Sequence, residues 1–506
     1  MDQITKNPLF LAAVALGLLF LYKLFTKRLP APYPPGPKGF PLLGNAFDFP
    51  LQYPYLTFAK WGKQYGGITY AKVLGLNFVI LNESKYAVEM LEKKGKIYSD
   101  RPRFMMAGEL VGWSESPALS QAGPTWAEHR KQMAAFMGSR QKIEAFSDIL
   151  QKETGVVLKK LLNHGSQDFV KYFRGYAGAT SLAINYGYRA KDETDPMLSL
   201  AGLAMEHFSE MIVANAFAVD TFPILRHVPS WLPGAGWKKK AIRYRNVLSD
   251  MVEKPYHWVK QQIATGMVPQ AFVTQILIEK ELDPREERIA QWTAAGCYAG
   301  MADTTSAGTA AFMLAMTRHT PELLKAQEEI DAVIGTGRLP TPADRANLPY
   351  FEGLYLEVFR LYSFGPLGVP HVNREDDIHD GYFIPKGSIV IANGWQFNRD
   401  PETYPNPEVF SPERYSERNG IPKQKDPRDP LFGYGRRKCP GQYLGDAAMW
   451  ILCVNIVAAF DIRPPVKDGK FVIPPAEFED TSICYPLPFE CSMTPRSKLA
   501  ESLIRD

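Results

Sequence analysis

Between Arg288 and Arg318 the chain carries one charged side chain, Asp303, and no proline. Asp283-Pro284, just upstream, is a strong helix start, with Asp as cap and Pro at the first helical position. From there to about Met316 nothing breaks the pattern, which predicts a helix roughly 50 Å long at about 1.5 Å per residue. A membrane span is the rival, but Gln291, Thr293, Thr304, Thr305, Ser306 and Thr309 make the run too polar for lipid. The chain must therefore build a core large enough to enclose this helix. A lone acid inside it must find a partner or protonate, because burying an unpaired charge is costly. Asp303-Thr304 sets a carboxyl and a hydroxyl side by side.

A second stretch, Phe432-Gly-Tyr-Gly-Arg-Arg-Lys-Cys-Pro-Gly441, presents Cys439 just before an apolar helical run. Gly433, Gly435 and Gly441 allow conformations and close approaches denied to other residues. Arg436, Arg437 and Lys438 favour a thiolate, which ligates metals. A lone cysteine is otherwise most simply a buried structural one. Spacing decides between them: Phe432, Gly435, Arg437, Cys439 and Gly441 match F-x-x-G-x-R-x-C-x-G, so the segment resembles the haem-thiolate loop of the cytochrome P450 monooxygenases.

That resemblance implies a mainly α fold with a smaller β-rich region, and haem b with Cys439 as axial ligand of the iron. Phe432 belongs to the same cofactor loop. Trp126 and Arg130 match the family's W-x-x-x-R and would bond a haem propionate, as would Arg437. His371 would take the other propionate, with Arg374 as its competitor. Gly300-Met-Ala-Asp-Thr-Thr305 resembles the oxygen-activation motif and departs from it at Met301, where a small residue is expected. Thr304 and Asp303 would be catalytic, since reductive cleavage of O2 needs protons that a hydroxyl backed by an acid can relay. Glu357 and Arg360 match E-x-x-R, and Ser411-Pro-Glu-Arg-Tyr415 supplies Arg414, giving a buried structural triad.

The length of 506 residues allows about three domains on the usual prior, yet only one linker is visible, near the N-terminus. Net charge is +4 on 58 basic and 54 acidic side chains, which is no nucleic-acid signature. Cys297, Cys439, Cys453, Cys484 and Cys491 show no paired spacing, which fits a reducing compartment. Leu9 to Phe25 is apolar except for Lys23 and is read as a single membrane anchor, not a cleaved signal. Lys23, Lys27 and Arg28 place the following chain in the cytosol. The expected division is 1–28 lumenal tip and anchor, 29–41 Pro-rich hinge, and 42–506 catalytic domain on the endoplasmic reticulum membrane. The Asn82 sequon would then never meet its transferase.

Locally, 68–82 reads as a hairpin turning at Gly75-Leu-Asn77, followed by a helix from Ser84 to about Lys94. A helix begins near Gly123, and 381–391 reads as a second hairpin turning at Pro385-Lys-Gly387. Residues 220–237, rich in Pro and aromatics ahead of Lys238–Lys240, suit either ordinary loop packing or a loop that touches the membrane through Trp231 and Trp237.

The function implied is a membrane-bound monooxygenase acting on an apolar small molecule. Its electrons would come from NADPH-cytochrome P450 reductase, with cytochrome b5 as a second donor. Arg436, Lys438, Lys131 and Arg140 could form a basic docking face. Segments 104–119, 205–217, 295–302, 364–369 and 478–483 are the expected pocket walls. The pattern resembles fungal microsomal members, which points to secondary metabolism or xenobiotic oxidation. A reductase-free thiolate-haem isomerase is disfavoured by the retained Asp303-Thr304, and a sensor needs neither group.

Overall fold

Asp283 caps the long helix as its sequence demands. Its carboxylate accepts the Arg285 and Glu286 amides, and Glu286 bonds back to the Asp283 N–H, giving a helix over Pro284–Arg318. From Thr305 to Thr317 every residue is buried. The polar side chains there are tolerated because their hydroxyls turn back onto the helix. Thr293, Thr304, Thr309 and Thr317 each donate to the carbonyl four residues earlier, at 2.7–2.8 Å. The helices Phe169–Tyr186, Gln442–Ala459, Pro124–Met137, Pro196–Ile212 and Gly236–Ala264 pack around it, so it is the axis of the core.

The computed structural model describes residues 29–192, 194–212, 216–417 and 422–505, together with Leu16 and Gly17. The expected anchor, Leu9–Phe25, therefore lies outside the described residues apart from those two. So do residues 213–215 of one expected pocket wall. Among the described residues, Gln442–Ala459 is apolar and long enough to cross a membrane, but 72% of it is buried against the protein. It is a core helix.

The β-rich region is small, with 9% strand against 55% helix, which makes the protein mainly α. Its main sheet orders Ile68–Val73, Leu76–Leu81, Ile389–Ala392 and His371–Val372 side by side. The first hairpin turns one residue earlier than expected: Val73 pairs with Leu76 across Leu74-Gly75, both at positive φ. The second expected hairpin is incorrect. Tyr382–Ile384 pairs upstream with Asp377–His379 through Asp380-Gly381, again both at positive φ, while Ile389–Ala392 joins the main sheet. The Asp-Gly pair was the stronger turn signal, and Pro385-Lys-Gly387 only redirects the chain. Ser84 starts the expected helix, which widens after Ala87, so that the Lys94 N–H reaches the carbonyl of Glu89.

The Pro-rich segment lies along the sheet. Pro35 and Pro32 carbonyls accept the amides of Tyr70 and Phe383, and Tyr33 stacks on Tyr70 at 4.7 Å. Gly36 is required there, since a Cβ would meet the Tyr70 carbonyl oxygen at 1.9 Å. In the 220–237 segment Phe222, Ile224 and Trp231 are exposed, whereas Trp237 packs against the core. Only the first of the two expected membrane tryptophans therefore faces outward.

Candidate functional site

The Cys439 loop is built by two backbone reversals that side chains would forbid. Gly433 and Gly435 have φ of 77° and 54°, and a Cβ at Gly435 would sit 2.4 Å from the Leu91 carbonyl oxygen. Gly441, by contrast, has an ordinary φ of −86°. The reversals let the Cys439 amide donate to the Phe432 carbonyl at 2.7 Å, closing the loop beneath the helix Gln442–Ala459. Desolvation by the packed chain pushes the Cys439 thiol up, opposed by the Gly441 N–H and by Arg130. The adjacent cations contribute less than their sequence position suggests. Lys438 pairs with Asp429 at 3.1 Å, and Arg437 turns its guanidinium over the Trp126 ring at 4.6 Å.

The long helix comes near this loop at Cys297. Cys297 on that helix is pushed up to about 12 by burial, with the Cys439 sulfur as its electrostatic neighbour. Thr304 is two turns further along, its hydroxyl donating to the Gly300 carbonyl at 2.8 Å. Met301 is buried and the helix runs through it unbroken. Asp303 is not alone: the Tyr485 hydroxyl donates to its carboxylate at 2.7 Å. Burial still pushes the Asp303 carboxyl up, against the pull of that hydrogen bond and of Arg174.

Beside the loop, segments 98–101, 117–120, 369–371 and Arg437 converge. Arg437 donates to the carbonyls of Ser99, Pro117 and Ser120, and burial pushes it down to about 10. Arg130 donates to the Lys438 carbonyl at 2.7 Å. His371 donates from Nδ1 to the Tyr98 carbonyl, and burial followed by Arg101 holds it down to about 3, so the imidazole is neutral. Arg374 is tied to Asp100 at 2.6 Å. Sequence reasoning missed Arg101, whose buried guanidinium donates to the carbonyls of Ala118, Val369 and Pro370.

Among the described residues Arg101, Arg130 and Arg437 have no carboxylate within ion-pair distance, and the buried Ser120 hydroxyl has no partner. Interior charges without counter-ions are costly, so this cluster suits an anion brought by something else. Among the described residues no group of three or more His, Cys, Asp or Glu could hold a metal. Iron on Cys439 would have to bring most of its own ligands. Haem, with two propionates and four ring nitrogens, fits both requirements.

Glu357, Arg360 and Arg414 meet, all buried. Arg360 grips Glu357 with two bonds of 2.8 Å, and Arg414 reaches it at 3.1 Å, joined by the Ser411 amide and the Tyr415 hydroxyl. A second network was not anticipated: Asp446 accepts Arg345 and Arg428, each at 2.7 Å, and Arg345 also holds Glu352. It ties the first turns of the helix after Cys439 to the helix Pro349–Leu361. Such links, spanning 101 residues, leave no local signal.

A model of the cytochrome P450 family matches residues 34–480. Cytochrome P450 monooxygenase 208 of Postia placenta is 43% identical over 493 residues, covering 97% of this chain and 96% of the relative. Cytochrome P450 monooxygenase claR of Ampulloclitocybe clavipes is 38% identical, with 99% and 94% covered. Tryptamine 4-monooxygenase of Psilocybe cyanescens is 35% identical, with 92% and 93% covered.

Proposed function

The chain belongs to the cytochrome P450 family, and from that premise we propose a haem-thiolate monooxygenase with Cys439 on the iron and Arg437, Arg130, Trp126, His371 and Arg101 at the propionates. It is an oxidoreductase that incorporates one atom of O2, like its named relatives. When bound, haem supplies oxygen activation and electron transfer, and thiolate ligation favours O–O cleavage. The chain's own contribution is positional. The Phe432 carbonyl fixes the Cys439 amide, and the Glu357 and Asp446 networks hold the helices beneath the loop. Thr304 and Asp303 would hold and relay protons for that chemistry.

The observation that carries this reading is the convergence beside the Cys439 loop of Arg101, Arg130 and Arg437, which among the described residues have no carboxylate within ion-pair distance. The electron donor is an NADPH-dependent reductase, with cytochrome b5 as a second source, docking on the face that includes Arg436, Lys438, Lys131 and Arg140. The protein sits on the endoplasmic reticulum membrane through residues 1–28, with residues 29–41 leading into a cytosolic catalytic domain. Its substrate is an apolar small molecule of secondary metabolism or a xenobiotic, in keeping with mostly apolar and aromatic wall segments. One relative's name specifies tryptamine, so arylalkylamines belong in a first panel.

The test is a membrane preparation of the full chain with reductase. A thiolate-type carbon monoxide difference spectrum is expected, lost in Cys439→Ala. Substrate-induced spectral shifts across a hydrophobic panel then identify the ligand. Thr304→Ala should divert electrons to peroxide, and full coupling in that variant would overturn the distal assignment. Turnover without NADPH or reductase would favour an isomerase.

A further inference from the structure

Tyr485 lies outside every wall segment and motif named from the sequence, yet it hydrogen-bonds the acid of the long helix. It belongs to the C-terminal segment and is buried. Its hydroxyl lies 2.7 Å from Asp303 Oδ1, 3.1 Å from the Asp303 carbonyl oxygen and against Ser306 Oγ. On its outer side Arg174, from the helix Phe169–Tyr186, approaches with Nε at 3.4 Å and stacks its guanidinium 4.5 Å from the ring centre.

Hydrogen-bond accounting gives this arrangement a direction. Tyrosine has one proton to donate, and the carboxylate is acceptor-only when ionised, so the 2.7 Å bond runs from Tyr485 to Asp303. Arg174 has only donors, so its bond runs toward Tyr485. The donors therefore align inward, from an exposed cation through a hydroxyl to a partly buried carboxylate. Arg174 makes no direct ion pair with Asp303 among the described residues. The other charged group facing this cluster is Glu479, whose amide donates to the Tyr485 carbonyl at 2.8 Å and whose carboxyl lies within the field of both Arg174 and Asp303.

We propose that Tyr485 is the positioning residue of the distal acid, its hydroxyl, polarised by Arg174, bonding Asp303 and so fixing the direction in which that carboxyl points. This rests on the reading of Asp303 as the proton-supplying acid. Tyr485 itself need not exchange protons; it sets the charge state and orientation of the group that does. An ordinary buried tyrosine could hydrogen-bond any acceptor, but this one is held between a cation and the single acid between Arg288 and Arg318.

The test uses the full-length protein with haem, and infrared detection of the Asp303 carboxyl during pH titration, the band being assigned by its loss in Asp303→Asn. In Tyr485→Phe the carboxyl loses a donor that favours its ionised form, so its titration midpoint should rise. Arg174→Gln should raise it in the same direction, and Arg174→Lys should restore part of the difference. Peroxide released per NADPH, with reductase added, should change in Tyr485→Phe in the direction set by Asp303→Asn, without further change in the double variant. An unchanged midpoint in Tyr485→Phe and Arg174→Gln would overturn the proposal. If Tyr485→Phe fails to fold, the Arg174 pair of variants decides. A raised midpoint together with unaltered peroxide release in Asp303→Asn would leave the positioning role standing and remove the catalytic reading of Asp303.

Discussion

Arg437 stands close enough to Arg101 to disfavour the latter's charge, although both are buried and neither meets a carboxylate within ion-pair distance among the described residues. Two like charges in one interior are retained only where an anion compensates them. Arg101→Leu should accelerate haem loss to an apomyoglobin acceptor by roughly tenfold or more, the scale of a lost charge-assisted hydrogen bond. Arg374→Leu, which removes a cation already paired with Asp100, should leave the rate unchanged.

Glu357 is enclosed by two guanidiniums, a main-chain amide and a tyrosine hydroxyl. Glu357→Gln strands Arg360 and Arg414 inside the protein. The expected loss is about 3 to 5 kcal/mol in urea unfolding, the usual result of breaking a buried pair. Haem incorporation should fall with it.

Asp446 gives a pH dependence with a definite sign. Burial alone would raise its carboxyl, but Arg345 and Arg428 outweigh that and hold it below the ordinary range. A depressed folded value means the stabilisation is complete at neutral pH and is lost as pH falls through and below about 4. Asp446→Asn should therefore lower stability at pH 7 and give a flatter acid limb than the parent in thermal unfolding. A variant whose deficit stays constant between pH 7 and pH 3 would contradict this.

Trp231 and Trp237 separate two consequences of one segment. Trp231 is 77% exposed, while Trp237 packs against the core. In protein beginning at Leu29, Trp231→Ser should reduce partitioning onto anionic liposomes without changing unfolding. Trp237→Ser should lower stability by about 2 to 4 kcal/mol and affect partitioning little.

Much of the proximal half was legible because its information is local. The glycines at 433 and 435 are required by positive φ within three residues, Glu357 and Arg360 lie one turn apart, and the Asp283 cap sits beside the helix it starts. The hairpin at 381–391 was misjudged because Ile389–Ala392 finds partners in Leu76–Leu81, more than 300 residues away. Arg101 and Tyr485 gave no signal for the same reason. Their partners come from Val369, Pro370 and Arg437, and from Arg174 and Asp303.

By itself the amino-acid sequence determined the long uncharged helix with its single acid, the turn that presents Cys439 and the pairing of Glu357 with Arg360, because caps, φ-restricted glycines and helical spacing act over a few residues. Tertiary structure alone decided what compensates each interior charge. Asp303 is answered by Tyr485 with Arg174 behind it, Asp446 is shared by Arg345 and Arg428, and among the described residues Arg101 and Arg437 have no carboxylate within ion-pair distance. Those choices depend on which distant segments share a low-dielectric interior, where a charge costs most and a well-placed partner matters most.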